Sequence, residues 1–345
     1  MKDRQKSTIY DIARLAGTSA STVSYALNGR WQERRIKRDT VERIQKIARE
    51  NGYQVNLQAR GLRNASSGLA GMILPEHDTR FFSDLSQAFA LEVRARGSCP
   101  AIVLSGRGRE AQEQSVQTLL SYNVDTVVIA GATDPMPLSA ICRSGGVPHV
   151  FVDHPCPDAP SVVTDNYQGA LALTQQMLAT LPPARPDDPG NHVFFLGGEA
   201  TLPATERRIA AFRDATRAAG ALHGSDQVIA CGYSVARAET EIAELHARLG
   251  RMPAGLFVNS ISCFEGVVKY LAAIPEGEMA STVLGCFDYD PFGALLRFPV
   301  TMVRQRADVM ISEAFARLDE GFGAPSLSLI SPELVSQPMS STRTA

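Results

Sequence analysis

Side chains that can hold a polyanion are concentrated near the start of the chain. Ser19, Ser21 and Thr22 are short hydroxyl donors, Tyr25 adds a phenol and Ala20 a methyl, a set suited to phosphate oxygens and base edges. Asn28 follows, and then the run Arg30-Trp31-Gln32-Glu33-Arg34-Arg35-Ile36-Lys37-Arg38 carries five positive side chains, whose natural use is contact with phosphates. A second set suits a small hydroxyl-bearing molecule. Asp153 ends the apolar run Phe151-Val152, Ser260 follows Phe257-Val258-Asn259, and Asp288 ends Cys286-Phe287. A carboxylate beyond the carboxyl end of a strand can accept from paired hydroxyls, and such strand ends are where open α/β sheets bind ligands. His154 beside Asp153 reads either as a titrating contact or as a turn residue.

The first set rides on three short amphipathic helices. Thr8 with Asp11 forms a capping-box pattern, followed by Ile9, Ile12, Ala13 and Ala16 at helical spacing and a stop at Gly17. Ser19 caps a second helix through Leu27 that buries Val23, Ala26 and Leu27 and ends at Asn28-Gly29. Asp39 with Glu42 is expected to cap a third, facing Val41, Ile44, Ile47 and Ala48 inward and ending at Gly52. The spacing of Ala13, Gly17 and Val23 is that of two helices crossing closely over a tight turn, which places the second helix to enter a major groove. An ordinary three-helix bundle is the alternative. Trp31 either joins the phosphate-facing loop or packs against the bundle.

Charge favours the nucleic-acid reading. Residues 1–64 hold 14 Lys/Arg against 6 Asp/Glu, whereas the remainder holds 20 against 30, so the formal net charge of -2 conceals a basic module on an acidic body. A merely solvated basic end is the competing interpretation. The six cysteines include no C-x-x-C pair and have no histidines at ligand spacing, so neither zinc nor a disulfide framework is indicated, and buried reduced thiols are expected. No apolar window is long enough for a membrane span, and the basic N-terminus lacks the apolar segment of a secretory signal, so the expectation is a cytoplasmic protein with no membrane association.

The motif residues Asp11-Ile12-Ala13-Arg14-Leu15-Ala16-Gly17, Ser21-Thr22-Val23-Ser24-Tyr25-Ala26-Leu27-Asn28-Gly29, Thr40-Val41 through Gly52-Tyr53, and Ala59-Arg60-Gly61-Leu62 resemble the lac repressor family. That resemblance implies a transcriptional regulator, bacterial and nucleoid-associated when bound, that holds a palindromic double-stranded operator as a homodimer and answers to a sugar or phosphosugar. It makes Ser19, Ala20, Ser21, Thr22, Tyr25, Asn28, Arg34 and Arg35 DNA contacts, with Asn56, Ala59 and Leu62 on a hinge helix. Leu62 is there the apolar wedge inserted in the minor groove, and Gly61 disfavours the hinge helix in the absence of DNA.

From residue 68 apolar runs alternate with helical stretches, the signature of a doubly wound α/β fold. Strands are expected at 69–74, 101–104, 125–129, 149–153, 192–196, 255–258, 282–287 and 300–305. The fold class is thus an all-α helix-turn-helix headpiece with a two-lobed, periplasmic-binding-protein-like α/β effector domain. The expected boundaries are 1–55 for the headpiece, 56–67 for hinge and linker, and 68–345 for the effector and dimerisation domain. Within that domain lobe 1 takes about 68–165 and 306–333, and lobe 2 about 166–304 and 334–345. The resemblance adds Arg80, Phe81, Phe82, Arg208 and Gln305 to Asp153, His154, Ser260 and Asp288 as effector contacts.

Segments around Phe257–Val267, Phe287–Val300 and Arg304–Val309, with the lengthened basic loop, look like the fructose repressor (catabolite repressor/activator) branch, which implies an effector such as fructose 1-phosphate and makes Arg208, Arg304 or Arg306 its phosphate partner. Ala20 and His154 depart from that branch, where longer basic residues are usual. Structural alternatives stay open: Asp153 and Asp288 as turn caps, Phe81 and Phe82 as core, Arg208 as one of a solvated set with Arg207, Arg213 and Arg217. The polar tail from Ser336 offers no heptad run, which favours a dimer over a tetramer. Other functions are a stand-alone sugar-binding protein, a regulator sensing a nucleoside or unphosphorylated sugar, and an enzyme. The last finds no P-loop, dinucleotide fingerprint, nucleophile elbow or metal-spaced histidine pair, and no cofactor is implied.

Overall fold

The computed structural model describes residues 7–53, 66–76, 79–182, 188–221, 224–279, 281–321 and 324–337. Two compact units divide the chain, Met1–Gly68 and Leu69–Ala345. The expected hinge residues Asn56, Ala59 and Leu62 lie outside the described residues.

In the first unit α1 (Ile9–Leu15), α2 (Ala20–Leu27) and α3 (Arg38–Glu50) surround Ile12, Ala13, Ala16, Val23, Ala26, Val41, Ile44 and Ala48. The capping box closes α1 in both directions: Thr8 Oγ1 accepts from the Asp11 amide and Asp11 accepts from the Thr8 amide. Those hydrogen bonds hold the Asp11 carboxyl below its ordinary pKa. Gly17, at φ +59°, turns the chain from α1 to α2, a conformation that costs a residue with Cβ about 1 kcal/mol. The expected cap at Asp39 is corrected. The third helix starts two residues earlier, at Arg38, with Lys37 as an N-cap that makes no side-chain hydrogen bond, and Asp39 sits inside the first turn. There its charge complements the helix dipole without satisfying an orphan amide. Glu42 pairs with Arg38 instead.

The second unit runs β1 (Leu69–Leu74), α4 (Arg80–Ala95), β2 (Cys99–Leu104), α5 (Arg109–Ser121), β3 (Thr126–Ala130), α6 (Pro135–Ser144), β4 (His149–Val152), β5 (Ser161–Thr164), α7 (Asn166–Thr180), β6 (Val193–Leu196), α8 (Pro203–Ala218), β7 (Val228–Ile229), α9 (Val235–Leu249), β8 (Gly255–Val258), α10 (Ile261–Ala273), the single turn α11 (Glu276–Met279), β9 (Val283–Cys286), β10 (Val300–Arg304), α12 (Ala307–Asp319), β11 (Leu327–Ile330) and β12 (Glu333–Gln337). They build two six-stranded sheets, ordered β11-β5-β4-β3-β1-β2 and β12-β10-β9-β8-β6-β7. All described pairings between these strands are parallel except β10 with β12.

The central strands of each sheet are buried on both faces, which is why they read as unbroken apolar runs. Met72 and Leu74 of β1 join the core under α4 and α12, while Ile73 faces the opposite core under α5 and α6. The chain crosses between sheets around residues 165, 305 and 332, so the lobes share three short connections. Four strands escaped the sequence reading. Ser161–Thr164 has polar ends, Val228–Ile229 is only two residues long, and Leu327–Ile330 and Glu333–Gln337 are partly exposed edge strands. The cysteine expectation is also corrected: Cys99, on the edge strand β2, is exposed, and Cys231 is half-buried. Burial pushes the Cys142 thiol up to about 12 and Cys156 and Cys231 to about 11. Among the described residues no helix is long and apolar enough to cross a membrane.

Candidate functional site

The headpiece surface is built by α2 and the loop after it. Ser19 Oγ accepts from the Thr22 amide at 3.1 Å and lies 2.9 Å from the Thr22 hydroxyl, so these two residues order the helix start on which the reading side chains stand. Ser21 is exposed, whereas Ala20 packs partly against the headpiece core. Asn28 ends the helix, its amide reaching Ser24 Oγ at 3.3 Å. The loop contains a 3-10 turn, Trp31–Arg34, closed by Arg35 in the left-handed region at φ +50°. Trp31 and Ile36 pack against the headpiece core on either side of that turn, which resolves the two readings of the tryptophan in favour of packing. Arg34 stacks over the Tyr25 ring at 4.9 Å and donates to its hydroxyl at 3.1 Å. Arg30 spends its fork on both oxygens of Glu33, each at 2.8 Å.

In the second unit, polar groups gather at the carboxyl ends of strands from both sheets, where the topology opens a cleft between the lobes. Arg208, half-way along α8, is 4% exposed, which removes the solvated-face reading for it. Its Nε donates to Asn166 Oδ1 and its Nη1 to the Asn259 carbonyl, both at 2.8 Å, and its guanidinium lies 3.7 Å from the centre of the Phe287 ring. Asp288, just past β9, accepts from Gln305 Nε2 at 2.7 Å and from the Ile261 amide at 3.1 Å. Gln305 accepts in turn from the Thr164 hydroxyl at 2.7 Å, so the chain of hydrogen bonds crosses from lobe to lobe. Burial raises the pKa of Asp288, opposed by Arg208 and by the Gln305 and Ile261 donors.

Asp153 stands at the end of β4 with φ +76°, a conformation that costs a residue with Cβ about 1 kcal/mol and tends to be retained at ligand sites. It lies within electrostatic reach of both Asp288 and Arg107. His154 donates from Nδ1 to the Ala132 carbonyl at 2.5 Å, which fixes its ring. Ser260 is spent on capping α10, accepting from the Cys263 amide at 3.3 Å. Phe82 is 6% exposed and belongs to the lobe 1 core, with Arg107 5.9 Å from its ring centre. Phe81 packs against the same core, and Arg80 pairs with Asp84 on the exposed side of α4, so no described contact joins either to the cluster. Arg304 and Arg306 are not in the cluster. They pair with Glu333 in an open groove of about 660 Å³ between α4 and the start of α12, a groove that Gln305 also lines. Beside Arg208, by contrast, the buried Asn259 side chain has no hydrogen-bond partner among the described residues.

Sequence reasoning missed several of those groups. Arg107, in the turn after β2, bonds Glu76 and lies 5.8 Å from the ring centre of Tyr233, whose hydroxyl meets Thr205 at 2.9 Å. Asn259 is fully buried, with neither side-chain atom partnered among the described residues. It packs on Gly198, where φ is +77° and a Cβ would stand 2.3 Å from Asn259 Nδ2. The strand-end rule applied to every strand would have found Arg107 and Asn259. Tyr233 and Thr205 become neighbours only through the packing of the second lobe.

A three-helix DNA-reading headpiece joined to a two-lobed, ligand-cleft domain defines a class of transcriptional regulators. The chain belongs to the lacI family of bacterial regulatory proteins: residues 8–56 match that family and residues 70–293 match the periplasmic binding protein domain. It is 46% identical to the ribitol operon repressor of Klebsiella aerogenes over 175 residues, which span 51% of this chain and 65% of that protein. It is 32% identical to the sucrose operon repressor of Klebsiella pneumoniae across 77% of each chain, and 25% identical to the catabolite repressor/activator of Salmonella typhimurium across 90% of this chain and 92% of that one. The fold is that of the lac repressor dimer solved on its operator, with a TM-score of 0.80 at 19% identity over 96% of this chain and 99% of that chain. The protein is a DNA-binding transcriptional regulator.

Proposed function

We propose that this regulator controls carbohydrate genes from the cytoplasm, holding a palindromic operator as a homodimer and changing its grip when an uncharged polyhydroxy compound binds between the lobes. Residues 1–55 act as the reading module, 56–67 as the hinge with Leu62 as its wedge, and 68–345 as the sensing and dimerising body. Ser19, Ala20, Ser21, Thr22, Tyr25, Asn28, Arg34 and Arg35 face the DNA, together with Asn56 and Ala59 on the hinge.

The observation that carries the effector reading is the set of buried Arg208 and Asn259 with partly buried Asp288 and Gln305, in which the Asn259 side-chain amide has no partner among the described residues. A buried amide left unsatisfied costs about 1–3 kcal/mol, and a ligand hydroxyl would repay it. Charge favours a sugar or polyol over a phosphosugar in this reading. Among the described residues of this cluster, Asp153, Asp288 and Glu76 oppose Arg107 and Arg208, Arg107 is already bound to Glu76, and two of the Arg208 nitrogens are occupied. A phosphate dianion entering here meets like charge and, among the described residues, arginines whose donors are largely engaged. The ribitol and sucrose repressors, named for uncharged compounds, support the same class. A binding role, not a catalytic one, accounts for all of these groups.

Calorimetry on the purified full-length protein tests this with ribitol, sucrose, fructose and fructose 1-phosphate. Saturable heat with an uncharged compound, weakened at least about tenfold in Arg208→Lys by loss of the planar fork and its stacking, is expected. Saturation by fructose 1-phosphate alone would move the effector to the phosphorylated class.

A further inference from the structure

The residues of α2 that face outward near its start are poor readers of guanine. Ala20 has no donor and is partly packed away, and Ser21 offers a single hydroxyl. Guanine is read most selectively by a planar fork that donates to both its O6 and N7 atoms. A fork of that kind is present on this headpiece, on the loop after α2.

Arg34 ends the 3-10 turn Trp31–Arg34, and four features hold it there. Trp31 and Ile36 anchor both flanks of the turn in the headpiece core. The Ile36 amide donates to the Trp31 carbonyl and the Arg35 amide to the Gln32 carbonyl, each at 3.0 Å. Arg35 takes the left-handed conformation, φ +50°, that redirects the chain immediately after Arg34. The Arg34 guanidinium lies on the Tyr25 ring at 4.9 Å and gives one hydrogen bond to the phenol at 3.1 Å. Most of its N–H donors remain free, and among the described residues no carboxylate pairs with it. Arg30, the other cation over Tyr25 at 5.9 Å, is tied to Glu33 by two bonds and does not compete for the ring. A flexible arginine seeking phosphates would lose side-chain entropy on binding. This one is ordered beforehand, beside the outward row of the helix expected in the groove.

We propose that Arg34 is the guanine-reading residue of each half-site, with Tyr25 as the positioning residue that holds its guanidinium toward the base edges. Loop and helix then form one composite reader, and the length of the loop sets operator specificity as well as affinity. The inference rests on the DNA-binding role of the headpiece.

Selection of bound duplexes from a random library, sequenced for wild type, Arg34→Lys, Arg34→Ala and Tyr25→Phe full-length proteins, tests the assignment. Wild type should enrich a half-site with a guanine whose preference over the other three bases is on the order of 10- to 100-fold. Arg34→Lys, which keeps the charge and loses the fork, and Arg34→Ala should both flatten the preference at that one base pair while the other positions stay selected. Tyr25→Phe, which removes the hydroxyl and keeps the ring, should lower the same preference several-fold. Thermal unfolding followed by circular dichroism checks that each variant is folded. Equal weakening on all sequences in the Arg34 variants, the mark of a phosphate contact, would overturn the proposal, as would a selected half-site with no position that depends on Arg34. Failure of wild type to enrich any motif would overturn the DNA-binding reading on which the proposal rests, an outcome distinct from a selected motif that does not depend on Arg34.

Discussion

Asp288, partly buried, accepts from two hydrogen-bond donors, and Arg208 favours its charged form. Because burial raises its pKa, the folded chain keeps the proton to higher pH than the unfolded chain does. Its ionisation therefore costs stability as pH rises through the ordinary carboxylate range to the folded value, and that cost persists above it. Asp288→Asn should remove this component: the melting temperature of the variant should fall less than that of wild type between about pH 4 and pH 8, while effector affinity drops at least tenfold. Equal slopes in the two proteins would show that the carboxylate is not held out of water as the structure has it. At this scale the sequence was informative where strand ends could be located. Asp153, Ser260 and Asp288 are picked out that way; Asp153 and Asp288 lie within electrostatic reach of each other, while Ser260 is occupied with a helix cap. Arg208 needed the family likeness, since nothing in Arg207-Arg208 tells which of two arginines is buried. Asn166, Thr205 and Tyr233 were illegible, because their roles depend on packing between distant segments.

Helices announce themselves through end chemistry, and strands through burial. The Thr8 and Asp11 capping box was readable from residue types alone, and Thr8→Ala should lower headpiece stability by about 1 kcal/mol, seen in the unfolding of a full-length sample by circular dichroism. The third helix shows the limit: an Asp with a Glu three residues later satisfies the pattern, yet the helix begins two residues sooner and leaves Asp39 in its first turn. Strands β1 and β8 were legible to the residue, whereas the short or half-exposed β5, β7, β11 and β12 lack an apolar run to mark them. Gly198 belongs to this scale too. With φ +77° and Asn259 and Thr205 against the position of a Cβ, Gly198→Ala should destabilise the second unit by roughly 1–3 kcal/mol and weaken effector binding by disturbing Asn259. A variant with wild-type melting and calorimetric affinity would count against the tight packing of that turn.

For the whole molecule, the charge division between residues 1–64 and the acidic remainder has a direct consequence. Operator affinity should fall at least about 100-fold between 50 and 200 mM salt, a slope set by the phosphates neutralised, while effector affinity stays nearly constant because an uncharged ligand releases no counterions. Regulation further requires that the effector bind two states of the lobes with different affinity, and the hydrogen bonds from Thr164 through Gln305 to Asp288 are the described link that a closing ligand would alter. The central claim is that cleft occupancy controls operator binding. The most direct test is a fluorescence-anisotropy titration of the full-length protein on its selected palindromic duplex, with and without saturating ribitol, sucrose or fructose, for wild type and Arg208→Lys. The account predicts that one of these compounds shifts the operator Kd of wild type by at least about fivefold and leaves that of Arg208→Lys nearly unmoved. An operator Kd in wild type that is the same with every uncharged compound, but shifts with fructose 1-phosphate, would contradict it.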